Sequence, residues 1–288
     1  SLIFHLNIPR VRSTITQNKP NLPTYKSSHP LFEAAMKLNR ANEHLQALNA
    51  EANGFLENIF INATIEQAEG GNFYLYRLEG AQVPPRRFGL IIGDFANNLR
   101  SCLDYIICQL SLLDKSGRGC DESPRTQFPV ISPKNDWNSK STQRMIQRLS
   151  TPMRDIVESF QPDYSNSNHR QNPLWLINTL SNTDKHRNIN MSPLAIEWRI
   201  KPTWNPAFSK SLIELRIPTS DYLDGQFNET PEVSIVFNPT GDETQGEPLQ
   251  VLTEIHDAIV QKILPAFIQF FPDHAQYVRF GGDSESPR

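Results

Sequence analysis

The residues best suited to chemistry lie in two short polar segments, Asn97-Asn-Leu-Arg-Ser-Cys-Leu-Asp-Tyr105 and Asn182-Thr-Asp-Lys-His-Arg187. In a helix, spacings of three and four place Asn97, Arg100 and Asp104 on one flank. Arg100 and Asp104 can then pair along the helix. On an open surface such a pair contributes only about 0.3–0.5 kcal/mol. At the rim of a cleft the same guanidinium becomes a positioned cation for an anionic group.

The second segment follows Pro173, a residue suited to the first position of a helix. If that helix continues, Asp184 and Arg187 extend the face carrying Leu176, Ile177 and Leu180, while His186 aligns with Trp175, Thr179 and Asn182. Charges on an apolar face need partners, because an unpaired buried charge is costly. The complementary partners are Arg100 and Asp104. The expectation is one charge-paired cluster of Arg100, Asp104, Asp184 and Arg187 joining two helices, with Asn97 and Lys185 beside it. Its plainest reading is architectural: a core network, or a solvated loop if the helix ends near Asn182. Its chemical reading is phosphoryl chemistry. Arg100 would stabilise charge developing on phosphate and His186 would move the proton. The 2′-hydroxyl of RNA would then be the nucleophile, and DNA would not be cut.

The elements that must position these groups follow from periodicity. Ile92, Phe95, Leu99, Leu103, Ile106 and Leu110 share one side of a helix, predicted over Phe88–Leu113. An earlier helix is predicted from Pro30 to about Ala52, carrying Phe32, Ala35, Leu38, Leu45 and Leu48, with Gly54 just past its end. Between them, alternating runs at 59–66 and 73–78 flank Gly70-Gly71 and predict a β-hairpin. Phe128-Pro-Val-Ile131 reads as a short strand, followed by modest helices at 142–149 and 152–160. Beyond Met191, alternation at 194–200, 213–217 and 233–237 predicts an antiparallel meander. Its Ile196, Trp198, Ile213, Leu215, Ile235 and Phe237 are expected to face a last amphipathic helix. That helix bears Leu249, Leu252, Ile255, Ile259, Ile263, Phe267 and Phe270 and breaks near Pro265. Residues 1–30, rich in Pro, Asn, Ser and Thr from residue 9 onward, read as an extended arm, and 281–288 as a disordered tail.

The expected fold is therefore α+β: a helical core with an inserted β-hairpin, a small antiparallel sheet and a C-terminal amphipathic helix. One integrated domain is expected over 31–280, with 191 as the alternative division. The formal net charge of −3 over 288 residues gives no global basic field, so nucleic-acid binding would need a local patch. Cys102, Cys108 and Cys120 lack CxxC spacing, and the first two point to different sides of one helix. No disulfide framework or zinc knuckle is expected, and a reducing cytoplasm fits. The run Ser1–Ile8, broken by His5 and Asn7, does not read as a signal peptide. No apolar run approaches a membrane span. The histidines are dispersed and no phosphate loop or metalloprotease motif occurs, so no metal or cofactor is expected.

The pattern Ile92-Gly-Asp-Phe-Ala-Asn-Asn-Leu-Arg-Ser-Cys-Leu-Asp104, a Phe128-Pro-Val step, Gln161-Pro162 and Asp184-Lys-His-Arg187 resembles a group of uncharacterised bacterial proteins. These share an Asn-Leu-Arg-Ser-x-Leu-Asp-His helix and a later Asp-Lys-His-Arg. The likeness covers about residues 31–190 and implies no established activity. A more remote likeness is to the HEPN helical domains, many of them metal-independent ribonucleases with an Arg followed four to six residues later by His. Here that His position holds Tyr105, a poor general base at neutral pH. The leading expectation is a binding or scaffold module without catalysis. The alternatives are a HEPN-like ribonuclease using Arg100 and His186, and a small-ligand pocket between the long helix and Asp184–Arg187. RNA or another protein are the partner classes, and a homodimer is compatible with either.

Overall fold

The computed structural model describes residues 4–7, 24–58, 62–68, 70–79, 84–113, 126–132, 136–165, 167–186, 191–197, 207–208, 212–219, 232–237, 248–272 and 278–279. Its helices are α1 (Phe32–Glu57), α2 (Arg86–Ser111), α3 (Lys140–Met145), α4 (Thr151–Ser159), α5 (Pro173–His186), α6 (Pro248–Ala258) and α7 (Leu264–Ile268). Its strands are β1 (Phe4–Asn7), β2 (Thr24–Tyr25), β3 (Asn62–Gln67), β4 (Phe73–Glu79), β5 (Met191–Glu197), β6 (Ala207–Phe208), β7 (Leu212–Pro218), β8 (Glu232–Phe237) and β9 (Val278–Arg279). The described residues are mostly helical with antiparallel sheet, an α+β fold.

Backbone contacts group the chain into two compact units. One comprises Ser1–Ile15, Asn49–Phe88 and Asn190–Pro248; the other comprises Thr16–Leu48, Gly89–Ile189 and Leu249–Arg288. The chain thus passes between units several times, and α1 and α2 each run from one into the other. A single boundary near 191 does not describe this interleaving.

In the first unit the sheet order is β1-β3-β4-β7-β6. Strands β3 and β4 pair from Asn62↔Glu79 to Gln67↔Tyr74. The turn between them uses Gly70 and Gly71 at φ of 95° and 71°, a region that a side chain disfavours. Thr219 seals this turn by donating its hydroxyl to the Gly71 carbonyl at 2.6 Å. The expected meander is corrected here. Strand β7 lies between β4 and β6, while β5 pairs separately with β8. Period-two alternation marks a strand and its buried face, but not its neighbour. The β5–β8 register slips between Ser192 and Ala195, around Pro193, which has no N–H for the ladder. The six side chains expected to face the last helix lie outside the described residues.

In the second unit Ile92, Phe95, Leu99, Leu103, Ile106 and Leu110 of α2 are each at most 1 % exposed. Their single stripe gives α2 a fully buried face in that unit's core. Leu249, Leu252, Ile255, Ile259, Ile263 and Phe267 are likewise buried. Between α6 and α7 a π-helical segment, Ile259–Ile263, precedes Pro265. Proline cannot donate to the preceding turn, and the wider π turn accommodates that loss. Phe270, expected on the buried face, is half-buried; Phe271 is buried instead, because the helix has already ended at Ile268.

Three further expectations change. Helix α1 continues through Gly54 to Glu57, held by buried Ala52 and Leu56. Gly54 lies inside the helix and lacks the positive φ of a terminating glycine, so it is not a stop. The reading of 1–30 as an unpacked arm fails where it is described. Strand β1 pairs with β3 and β2 with β9, and Tyr25 and His29 are buried, with ring centroids 4.6 Å apart. The tail at 281–288 lies outside the described residues. Cys108 is disulfide-bonded, whereas Cys102 is a free, buried thiol. Cysteine spacing could not exclude that bridge, and it no longer argues for a reducing compartment. Among the described residues no helix is long and apolar enough to cross a membrane.

His256 on α6 is fully buried. Its Nε2 has no hydrogen-bond partner among the described residues, and its Nδ1 lies 3.4 Å from Asp257 Oδ1. Burial lowers its pKa, against an opposing pull from Asp257. The native protein therefore resists protonating it, while the unfolded chain takes up a proton near the ordinary value of 6.5. Stability attributable to this group is intact above that value and declines as pH falls through it. Between pH 7.5 and 5.5 the loss is expected to be about 1 kcal/mol. Urea denaturation of the wild type and His256→Gln at both pH values checks this; an equal decline in both would remove His256 from the account.

Candidate functional site: a polar seam along helix α2

The sequence-predicted residues of the second unit form a seam of side-chain hydrogen bonds along α2. At one end, Asn97 donates from Nδ2 to Asp184 Oδ2 at 2.9 Å and accepts the Ser181 hydroxyl on Oδ1 at 2.8 Å. Asn97 and Asp184 thereby join α2 to α5. Asp184 also sits over Gly93, where a Cβ would fall 2.1 Å from its Oδ1 and 2.4 Å from its Cγ. Only glycine leaves room for the carboxylate there.

One turn along, Arg100 donates from Nη2 to Asp104 Oδ1 at 2.9 Å. The same Nη2 donates to the Phe128 carbonyl, and the Phe128 N–H donates to Asp104 Oδ1 at 2.9 Å. The pair therefore grips both polar groups of one buried residue's backbone. The Arg100 side chain is 15 % exposed and that of Asp104 is 35 % exposed. Burial pushes the Asp104 carboxyl above its usual range, opposed by Arg100, the Phe128 N–H and Lys185. Arg100 Nη1 is buried with no hydrogen-bond partner among the described residues.

The segment after Phe128 is gripped from another side. Gln161 accepts the Ile131 N–H at 2.9 Å and donates to the Pro129 carbonyl at 3.0 Å. Tyr164 donates its hydroxyl to the Ile131 carbonyl at 3.0 Å. Residues 128–131 are expected as a strand but form none. Side chains satisfy their backbone groups where a sheet neighbour otherwise would. Replacing Gln161 with Ala is expected to cost about 2–3 kcal/mol, because buried backbone groups lose their partners. Gln161→Glu retains the acceptor for Ile131 but not the donor, and should fall between. Thermal unfolding of the two variants against wild type measures this.

The expected four-charge cluster is thus divided. Arg100 and Asp104 are paired, and Asp184 bonds to Asn97 rather than to either of them. Lys185 is exposed, near enough to Asp104 to lower its pKa. Arg187 and the His186 side chain lie outside the described residues, as does any pocket they would line. Tyr105 is 37 % exposed. Gly93, Ser181 and Tyr164 join the site without a sequence signal, and Phe128 and Gln161 take roles there that no sequence pattern assigns. The Phe128-Pro-Val step and Gln161-Pro162 marked the right segments, but side chains that bond to distant backbone leave no periodic trace.

Among the described residues no group of three or more His, Cys, Asp or Glu is placed to hold a metal ion. Comparison of the chain with protein-family models, curated proteins and solved structures finds no match.

Proposed function

We propose that this chain is a binding or scaffold module without catalysis, in which the α2 seam is an internal brace. The observation that carries this reading is the destination of the seam's hydrogen bonds. Arg100 and Asp104 hold the Phe128 backbone, and Asn97 holds Asp184 against Gly93. Groups committed to backbone and to each other are poorly placed to receive a substrate. On this reading the helical core, the hairpin inserted at 62–79 and the C-terminal amphipathic helix form the scaffold, and the partner is another protein.

One observation favours a second reading, the HEPN-like ribonuclease. Among the described residues Arg100 Nη1 is a buried cationic donor without an acceptor, and such groups call for an explanation. A phosphate oxygen would satisfy it, with His186 as the proton carrier. One assay separates the two readings: purified protein, a panel of structured and unstructured RNAs, and EDTA. No cleavage by the wild type is the expected result. Cleavage that disappears in both Arg100→Ala and His186→Ala, with circular dichroism unchanged, would overturn the scaffold reading. Identifying the proteins that copurify from the native host then supplies the partner.

A further inference from the structure

Buried His29 sits in the second unit where three parts of the chain meet. Its ring centroid lies 4.6 Å from that of Tyr25 on β2 and 6.0 Å from that of Phe271, just past α7. Both of those rings are buried as well. Tyr25 pairs in turn with Val278 of β9, so β2 ties the approach to α1 to the strand that follows the last helix.

The same imidazole opens α1. The Leu31 N–H donates to His29 Nδ1 at 3.0 Å, and the Phe32 N–H donates to the His29 carbonyl at 2.9 Å. Pro30, between His29 and Leu31, has a fixed φ and no N–H to satisfy. Asn or Asp ordinarily makes this turn, a side-chain oxygen accepting the N–H two residues on. Histidine differs in one respect: its acceptor is also its basic site. Nδ1 accepts only while it carries no proton. Protonation turns it into a donor facing the Leu31 N–H, and sets a cation at the positive end of a 26-residue helix. The described groups around the ring supply no buried counter-charge. Burial raises the Tyr25 phenol, and the Cys102 thiol of α2, near enough to act on Tyr25, is pushed up to about 12. Phe271 is apolar, and Lys26 and Glu33, the charged residues on either side of the turn, are exposed.

We propose that His29 is an acid-sensitive latch: a proton on Nδ1 frees the first turn of α1 and the β2–β9 pairing beside it, while the α2 core stays folded. The latch is independent of the α2 seam and of whether that seam does chemistry. It is also distinct from the loss of overall stability assigned to His256, because it opens one joint and is read at that joint.

The test is amide hydrogen exchange, followed by NMR on the full chain at the Leu31 and Phe32 amides and at those of β2 and β9. Closed, the latch refuses the proton; open, His29 titrates as an ordinary histidine near pH 6.5. The open population should therefore rise about tenfold between pH 7.5 and 5.5, and protection factors at these amides should fall by that factor. His29→Asn keeps an acceptor for the Leu31 N–H, but one that does not titrate, so its protection should change less than about twofold. His256→Gln should retain the full fall, which separates the latch from the other buried histidine. Ring nitrogen shifts of wild-type His29 add a readout that needs no variant. At pH 7.5 they should show a neutral ring with its proton on Nε2, and a proton on Nδ1 would overturn the proposal. So would a wild-type fall below about twofold, a tenfold fall that persists in folded His29→Asn, or one that vanishes in His256→Gln.

Discussion

Gly93→Ala is expected to destabilise the chain by about 2–4 kcal/mol, although alanine is the better helix former. In most helix interiors this exchange gains up to about 1 kcal/mol. Here the new methyl would lie 2.1 Å from Asp184 Oδ1, closer than nonbonded atoms approach. Either α5 must move or Asp184 must leave Asn97, and each route breaks the 2.9 Å bond between them. Overpacking costs roughly 1–3 kcal/mol, and loss of a hydrogen bond to a charged group roughly 1.5–3. The decisive measurement is the double variant. Asp184→Ala alone leaves Asn97 without its acceptor and destabilises. Combined with Gly93→Ala it removes the clash, so the double variant should be clearly more stable than the two losses summed. Simple additivity in urea denaturation would mean that the two residues do not meet as described.

Asp104→Ala should cost about 2–3 kcal/mol, from two losses at once. The Phe128 N–H loses its acceptor, and the Arg100 guanidinium loses its counter-ion. The partial exposure of Asp104 keeps the figure below that of a fully buried pair. Asp104→Asn separates the components. An amide oxygen still accepts from both Phe128 and Arg100, and it removes a carboxylate whose charged form burial already disfavours. The asparagine variant should therefore retain at least half of the stability lost in the alanine variant. If the two variants unfold alike, the charge and not the hydrogen-bond geometry holds the Phe128 segment.

These predictions also mark where local sequence stops being informative. The core stripe of α2, from Ile92 to Leu110, was legible because a helix places its buried residues by a fixed angular step. The same local rule located α5 from Pro173 and put Asn97, Arg100 and Asp104 on one flank. The Arg100–Asp104 pair is such a local contact, four residues apart. What the tertiary structure decided is non-local. Asn97 and Asp184 are 87 positions apart, and Arg100 and Phe128 are 28 apart, so no periodicity links them. The partner of β7 is not legible in the sequence, because alternation is identical whichever strand lies beside it. By sign alone Asp184 pairs with Arg100 and Arg187 with Asp104; among the described residues, packing gives Asp184 the neutral amide of Asn97. Gly93 is silent in the sequence, because a missing side chain has no pattern of its own. Its role exists only once α5 brings a carboxylate over the bare backbone, which is a fact of three-dimensional packing that no local sequence rule contains.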